Sequence, residues 1–456
     1  MEKPGLPSGT RDFGPVAMQQ RKYVLNTMEK VFQLHGFQCI ETPSLENLST
    51  LQGKYGEEGD KLLFKVLNSG EYLKKTDTED LINKNYSNIT PKIADRGLRY
   101  DLTVPLARFV VMNRNEIQFP FKRYQMQPVW RADRPQKGRY REFWQCDVDV
   151  VGSNSVVSEA ELVEIYQEVF KRLDLTVEIR INHRSILDSF LGILGSIENW
   201  NSFMVAMDKY DKIGRKGVLR ELENRNLNHA IDAWNFICDT SELNSREEII
   251  QSLKNYSDIQ GDSLDKGINE LELLYGLLDN TENVKFELQL ARGLSYYTGA
   301  VFEVVVTDTK LPREYSIGSV GGGGRYDNLT SIFGLKDVSG VGVSFGLDRI
   351  CDIMDVANAY PDFSESEGVL VCCMDDVALP SGAEIARNLR LIDVSVEVYP
   401  AAVKLKKQLD YANQKGLSYA VILGSREIES KTAAVKNLKT GEQVSVNWSE
   451  IQNFIK

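Results

Sequence analysis

FKRYQMQPVWRADRPQKGRYREFWQCDVDVVG, residues Phe121–Gly152, reads as two strands joined by a basic turn. Side chains alternate across a strand, so the second strand has two distinct faces. Trp144, Cys146, Val148 and Val150 share one, and it has the composition of a core. Arg141, Phe143, Gln145, Asp147 and Asp149 share the other, which suits the floor of a polar pocket. Phe143 offers a ring for stacking, Arg141 a cation for phosphate, and Gln145 and Asp149 acceptors for an amine or a ring N–H. These last two lie four residues apart, about 13 Å along an extended chain, so they suit the two ends of one small ligand. Residues 121–141 carry seven cations (Lys122, Arg123, Arg131, Arg134, Lys137, Arg139 and Arg141) against Asp133 alone, a local charge of +6. Five of the seven are arginines, whose planar fork matches phosphate in a bidentate way.

Upstream, Pro15 opens a helical pattern through Gln20, Val24, Met28, Phe32 and His35, and Gly36 closes it. GFQCIETP is a short strand stopped by Pro43. Residues 66–97 are polar and read as a hairpin with a loop insertion. LRYDLTVP, residues 98–105, places Asp101 and Thr103 on one face of a short strand, a carboxylate and hydroxyl suited to an ammonium; the alternative is an Asp capping a helix that starts near Pro105. Downstream, residues 155–173 form a helix and 177–182 a strand. Residues 188–285 turn leucine-rich, acidic and helical in period, as an inserted domain would. Strand character returns at 285–308 and 315–320. Gly321–Gly324 follow, a run more often a turn than a ligand loop, and without the GK[ST] of a phosphate-binding Walker loop. Arg292 with Tyr296 and Tyr297 offers a cation and two hydroxyls. GVGVSFGLDRI passes from strand to helix, with Arg349 near the anion-favouring helix end. Ala357–Gly368 is a polar linker, and the last 90 or so residues alternate strands with helices as a small, largely parallel α/β domain.

The chain has 456 residues, 42% hydrophobic, enough for several folded domains. No apolar run approaches the ~20 residues of a membrane span, and the N-terminus has no signal-peptide pattern. The six cysteines (Cys39, Cys146, Cys238, Cys351, Cys372, Cys373) lack CxxC spacing and read as small buried hydrophobes in a reducing, cytoplasmic setting. Three scattered histidines (His35, His183, His229) argue against a metal site and a Ser-His-Asp hydrolase. The net charge of −11 at first argues against a nucleic-acid partner. Its distribution reverses that argument. Residues 188–285 hold 18 acids and 10 Lys or Arg, a net of −8, while residues 367–456 hold 11 of each. The rest carries −3, with the +6 hairpin inside it. Lys404, Lys406, Lys407 and Lys415 form a basic helix suited to a nucleic-acid backbone, with modest, salt-sensitive affinity expected.

In this order the segments closely resemble the histidyl-tRNA synthetase family of class II aminoacyl-tRNA synthetases. The resemblance runs over nearly the whole chain: GTRDF (Gly9–Phe13), IETPSLE (Ile40–Glu46) as motif 1, Val129–Gly152 as motif 2, LARGLSYYTG (Leu290–Gly299) and GGGGRYDNL (Gly321–Leu329) as the histidine signatures, and GVGVSFGLDRI (Gly340–Ile350) as motif 3. It implies an α+β fold: an antiparallel-sheet catalytic core with a helical insertion, then a C-terminal α/β anticodon-binding domain. The division would be 1–187 and 286–356 for the core, 188–285 for the insertion, 357–366 for the linker and 367–456 for the anticodon-binding domain. It implies that L-histidine and ATP form histidyl-adenylate and pyrophosphate, and that histidine then passes to tRNA(His). Such chemistry needs phosphate charge neutralised and ends aligned more than a protein nucleophile. By the same resemblance Arg131 contacts the α-phosphate, Arg139 and Arg349 hold the outer phosphates with Mg2+, Arg141 adds to ATP binding, and Phe143 stacks on adenine. Arg292 stabilises the charge building at the α-phosphate. Asp101, Leu102, Thr103 and Gln145 hold the histidine ammonium side, and Asp149 and Tyr296 the two imidazole nitrogens, with Tyr297 beside them. No protein-held metal is expected.

The resemblance also implies a homodimer with motif 1, around Pro43, in the interface. Asp149→Ala is expected to abolish histidine activation and leave the fold intact. Ser295 replaces the family's usual aspartate beside the two tyrosines, and 66–97 is longer than a minimal member needs. Two rivals remain at this stage. One is a non-catalytic paralogue that regulates ATP phosphoribosyltransferase; such paralogues tend to lose the phosphate arginines and the C-terminal domain. The other is a synthetase of the same subgroup for threonine, proline or glycine, against which Asp149, Tyr296 and Tyr297 argue.

Overall fold

The computed structural model describes residues 3–136, 138–243, 245–259, 261–291, 296–307, 311, 318–328, 330–363 and 368–455. The chain divides into two compact units, 1–360 and 361–456. An eight-stranded sheet organises the first. Its order is Gln38–Cys39, Phe121–Trp130, Glu142–Val151, Gly340–Gly346, Gly321–Arg325, Ala300–Val306, Val177–His183, Val284–Phe286. The five inner pairings are antiparallel and the two edge pairings parallel. Phe121–Trp130 and Glu142–Val151 pair from Phe121 opposite Val151 to Trp130 opposite Glu142, the hairpin expected from the sequence.

Helix Pro15–Leu34 buries Val24, Met28, Val31 and Phe32, and helix Val157–Arg172 buries Leu162, Val163, Ile165, Tyr166 and Val169. Both stripes join Cys146, Val148 and Val150 of the sheet's core face in one hydrophobic cluster. The elements described between Arg184 and Leu277 are all helical, including Ile197–Met207, Tyr210–Asn224, Ile231–Ser241 and Asp262–Leu277. Their buried Trp200, Phe203, Trp234 and Ile268 belong to that same cluster, so this stretch shares the sheet's core instead of forming a second one.

Several expectations change. Residues 66–97 are not a simple hairpin. Lys65–Val66 and Arg96–Leu98 do pair antiparallel, but helices Thr78–Ile82 and Tyr86–Ile93 lie between them. Asp77 caps the first helix by accepting from the Glu79 N–H, a local device that polar composition alone hides. The glycine run is a strand, not a turn: Gly321–Arg325 lies between Ala300–Val306 and Gly340–Gly346. It must be glycine where neighbours come closest. A Cβ on Gly323 would collide with the Gly342 carbonyl, and one on Gly342 with Asp149 Oδ1. A strand at 315–320 is not seen at 318–320, and 312–317 lies outside the described residues. Cys39 is exposed although the other five cysteines are buried; all six are free.

In the second unit the strand order is Val396–Val398, Val369–Cys373, Tyr419–Leu423, Thr432–Asn437, Gln443–Asn447. Two of its pairings are parallel and two antiparallel, so the sheet is mixed where a largely parallel one was expected. The final helix is the 3₁₀ segment Trp448–Asn453. Among the described residues no helix is long and apolar enough to cross a membrane.

Gly323→Ala is expected to destabilise the first unit by at least about 2 kcal/mol, because backbone cannot move aside as a side chain can. Gly276, exposed in helix Asp262–Leu277 with open space around it, is the control, and Ala there should be neutral or stabilising. Thermal unfolding of the two variants measures both.

Candidate active site

Two adjoining cavities open on the polar face of the sheet. The inner, of about 210 Å³, is lined by Asp101, Thr103, Gln145, Asp147, Asp149, Tyr296, Tyr297, Tyr326 and Ser344. The outer, of about 390 Å³, is lined by Tyr100, Asp133, Arg139, Phe143, Ser319 and Arg349. Arg131, Gln145, Gly322 and Ser344 line both. Phe143, Gln145, Asp147 and Asp149 thus project to one side of their strand, as the alternation requires.

The inner floor is charged and almost dry. Asp149 is 3% exposed, and Arg123, directly opposite on the neighbouring strand, is 0% exposed. Arg123 Nη2 lies 2.8 Å from Asp149 Oδ2, and Tyr326 donates to Asp149 Oδ1 at 2.5 Å. The ion pair is a charge contact without a well-aimed hydrogen bond, so Oδ2 keeps acceptor capacity. Burial raises the pKa of Asp149, and Arg123 and Tyr326 oppose it. Arg123 is therefore a structural counter-charge, not a phosphate ligand. Asp149→Ala would strand it in the sheet, so that variant is expected to lose stability as well as a cavity carboxylate.

Asp101 does not sit in a strand. It precedes helix Thr103–Met112, and its Oδ1 accepts from the Val104 N–H at 3.1 Å and the Tyr55 hydroxyl at 3.0 Å. The capping alternative holds, and the same carboxyl lines the cavity. Thr103 is the first residue of that helix, and Leu102 is buried and lines neither cavity. Gln145 Nε2 donates to Ser344 Oγ at 3.0 Å. The rings of Tyr296 and Tyr297 lie 4.8 Å apart. Burial pushes the Tyr296 hydroxyl well above its usual pKa, with Tyr297 and Asp101 adding to the shift, so it stays a neutral donor–acceptor. Arg292 and Ser295 lie outside the described residues.

The outer cavity is cationic. Arg131 Nε donates to the Tyr100 carbonyl at 3.1 Å, and its guanidinium lies 4.3 Å from the Tyr100 ring and 5.2 Å from the Phe143 ring. Arg349 donates to the carbonyls of Gly138 and Ser319. Burial lowers its pKa, and repulsion from Arg139 and Arg131 adds to that, an arrangement an anion would relieve. Arg139 lies 3.5 Å from Asp133. Other hairpin cations serve elsewhere. Arg141 Nε donates to the Asp133 carbonyl and its stem packs on Gly9, and neither cavity is lined by it. Lys122 pairs with Glu161 at 2.5 Å. Arg134 is exposed, and Lys137 lies outside the described residues.

Four residues enter the site without a sequence-based role: Arg123, Tyr326, Tyr55 and Asp147. The hairpin register would have exposed Arg123, because it faces Asp149 across the strands. Asp147 was on the polar face but unassigned. Burial pushes its pKa up to about 7, with Arg123 opposing and Asp149 adding.

Comparison with known proteins identifies the family. A family model described as histidyl-tRNA synthetase matches residues 78–350, and one described as an anticodon binding domain matches 368–456. The chain is 47% identical to a protein of Phocaeicola vulgatus named histidine–tRNA ligase, over 100% of this chain and 99% of the relative. It resembles the crystal structure of histidyl-tRNA synthetase from Nostoc sp. PCC 7120 with a TM-score of 0.78 and 29% identity, over 100% of each chain. A structure from Bacillus halodurans titled as an ATP phosphoribosyltransferase regulatory subunit/histidyl-tRNA synthetase matches with a TM-score of 0.72, over 93% of this chain and 100% of that one. At 22% identity, that likeness concerns the fold alone.

An unfolded aspartate ionises near pH 4, about three units below Asp147 in the fold. The folded state is therefore favoured while both are protonated, and loses that advantage as pH rises from about 4 to 7. Ligand-free Asp147→Asn should match wild type near pH 4 and exceed it by on the order of a few kcal/mol at pH 8. Denaturant titrations at the two pH values check this.

Proposed function

The chain belongs to the histidyl-tRNA synthetase family, and we propose that its inner cavity holds L-histidine and its outer cavity ATP. It is a histidine–tRNA ligase, an ATP-dependent enzyme of protein synthesis. The arrangement that carries the assignment of the cavities is their sharing of Arg131, with carboxylates and tyrosines on one side and arginines on the other.

In the first step the histidine carboxylate attacks the α-phosphate and pyrophosphate leaves. Arg131, at the junction, holds the α-phosphate where charge builds. Arg139 and Arg349 hold the outer phosphates, and Phe143 stacks on adenine. No side chain need donate electrons; the work is alignment and charge neutralisation. Arg292 adds a cation at the α-phosphate. In the second step a terminal ribose hydroxyl of the tRNA attacks the adenylate. At the far end of the inner cavity, Asp149 Oδ2 and the Tyr296 hydroxyl meet the two imidazole nitrogens. An acceptor opposite an adaptable hydroxyl leaves both unpaired when an apolar side chain enters, which is strong discrimination. Mg2+ would come with the nucleotide. The described residues contain no group of three or more His, Cys, Asp or Glu able to hold it.

Residues 368–456 supply the anticodon-binding part. Lys404, Lys406 and Lys407 are exposed and suit an RNA backbone, whereas Lys415 pairs with Glu397 at 2.5 Å. We assign 188–285 as an insertion in the catalytic core, with a cytoplasmic setting and a homodimer joined through the motif 1 segment around Pro43. Retention of Arg131, Arg139 and Arg349 in one cavity favours the enzyme over a regulatory paralogue.

ATP–pyrophosphate exchange with each amino acid in turn is expected to proceed with histidine alone. Arg131→Ala should slow it about 10²–10³-fold. Asp149→Asn, which keeps the shape beside Arg123 but removes its counter-charge, should lose most histidine-dependent exchange and also unfold at a lower temperature than wild type. Exchange with another amino acid, or near-normal histidine exchange in Asp149→Asn, would overturn the assignment of the inner cavity.

A further inference from the structure

Besides Asp149 Oδ2, which lies against Arg123, three acceptor oxygens in the inner cavity are buried and lack a hydrogen-bond partner among the described residues: Asp101 Oδ2, Gln145 Oε1 and Asp147 Oδ1. Leaving buried acceptors unmade is costly, so three in one small cavity point to a ligand that supplies the donors. Each is held in place from its other side. Asp101 Oδ1 is fixed by Tyr55 and the Val104 N–H, and the Gln145 amide by Ser344. Asp147 faces Ser344 across the adjacent strand, in register. Its neighbour on the same face, Asp149, has its charge offset by Arg123, and no salt bridge of Asp147 or Asp101 is formed among the described residues. The cavity therefore presents two carboxyls outside any salt bridge and an amide oxygen. An ammonium group carries one positive charge and three donors.

We propose that Asp147 is a binding residue for the α-ammonium of the amino-acid substrate, completing a three-acceptor cradle with Asp101 Oδ2 and Gln145 Oε1. This rests on the reading of the inner cavity as the histidine site and adds to it a residue that no motif match assigns. Asp147 lies between Gln145 and Asp149 on one strand face, about 7 Å from each along the chain, so it can serve the ammonium while Asp149 serves the ring. It gives the protein an anionic contact that depends on the substrate's being an α-amino acid.

The test compares L-histidine with 3-(imidazol-4-yl)propanoate, which keeps ring and carboxylate and lacks the ammonium. Binding of each is measured by calorimetry on the full-length wild type and on Asp147→Asn, alongside the KM for histidine and for ATP in pyrophosphate exchange. Histidine binding should weaken about ten- to a hundredfold in the variant, as expected for loss of a charge-assisted contact. The analogue's affinity and the KM for ATP should stay within about twofold. Asp147→Ser, uncharged and smaller, should give the same contrast through different packing, and it decides the matter if the Asn variant fails to fold. Unchanged histidine binding, or equal weakening of histidine and analogue, overturns the proposal, because a purely structural aspartate would not distinguish the two ligands. If wild-type exchange does not require histidine, the reading of the cavity falls and this inference with it. If wild-type exchange requires histidine and the variants bind it normally, only the inference falls.

Discussion

The Arg123–Asp149 pair is the constraint around which the catalytic unit is arranged. Two opposite charges sit at facing positions of adjacent central strands, both nearly free of solvent. Desolvating either alone would cost several kcal/mol, so neither can be moved or removed singly. The pair sets conditions on its neighbours. Gly342 must lack a side chain because Asp149 fills that space, and Gly323 must lack one because the Gly342 backbone does. Tyr326, just after the glycine strand, is drawn in to donate to Asp149. Gly323 of the glycine run is thus set, through the Gly342 backbone, by the space a buried carboxylate takes.

The two cavities then differ in sign for a physical reason. The inner one is lined by four carboxyls, Asp101, Asp147, Asp149 and Asp208, with Arg131 at its boundary and the fully buried Arg123 paired with Asp149. The outer one has Arg131, Arg139 and Arg349, of which Arg349 is held below its usual pKa by burial and by the other two. On the proposed assignment, a zwitterionic amino acid and a polyphosphate would each compensate the cavity they enter, with Arg131 at the shared boundary. On that assignment the same groups would serve both affinity and transition-state stabilisation.

The long strand Glu142–Val151 could be read almost completely from its sequence, because a period of two is local and each residue announces its face. The resemblance located Arg131, Arg139, Phe143, Tyr296 and Arg349, all of which line the cavities. Arg141 was misjudged: it shares the polar face, yet its position at the strand's entry turns it back onto Gly9 and the Asp133 carbonyl. Asp101 was read as a strand residue because three residues of alternation cannot be told from a helix cap. In 66–97 the two end strands were legible, but the short helices between them have no apolar stripe: Thr78–Ile82 buries nothing and Tyr86–Ile93 only Ile89.

By itself the sequence determined which residues are polar, cationic or apolar along each element, and hence the family, the reaction and most of the cavity lining. It also determined that the −11 net charge is mostly that of one helical stretch. Only the tertiary structure decided which charges meet. Pairing Arg123 with Asp149 depends on the register across an eleven-residue connection, 131–141, and no local propensity sets that register. Sequence spacing is one-dimensional, whereas the desolvation that makes a charge structural or available to substrate depends on what packs over it in three. That is why Arg123 and Arg131, alike in the sequence, became a buried counter-ion and a cation lining both cavities.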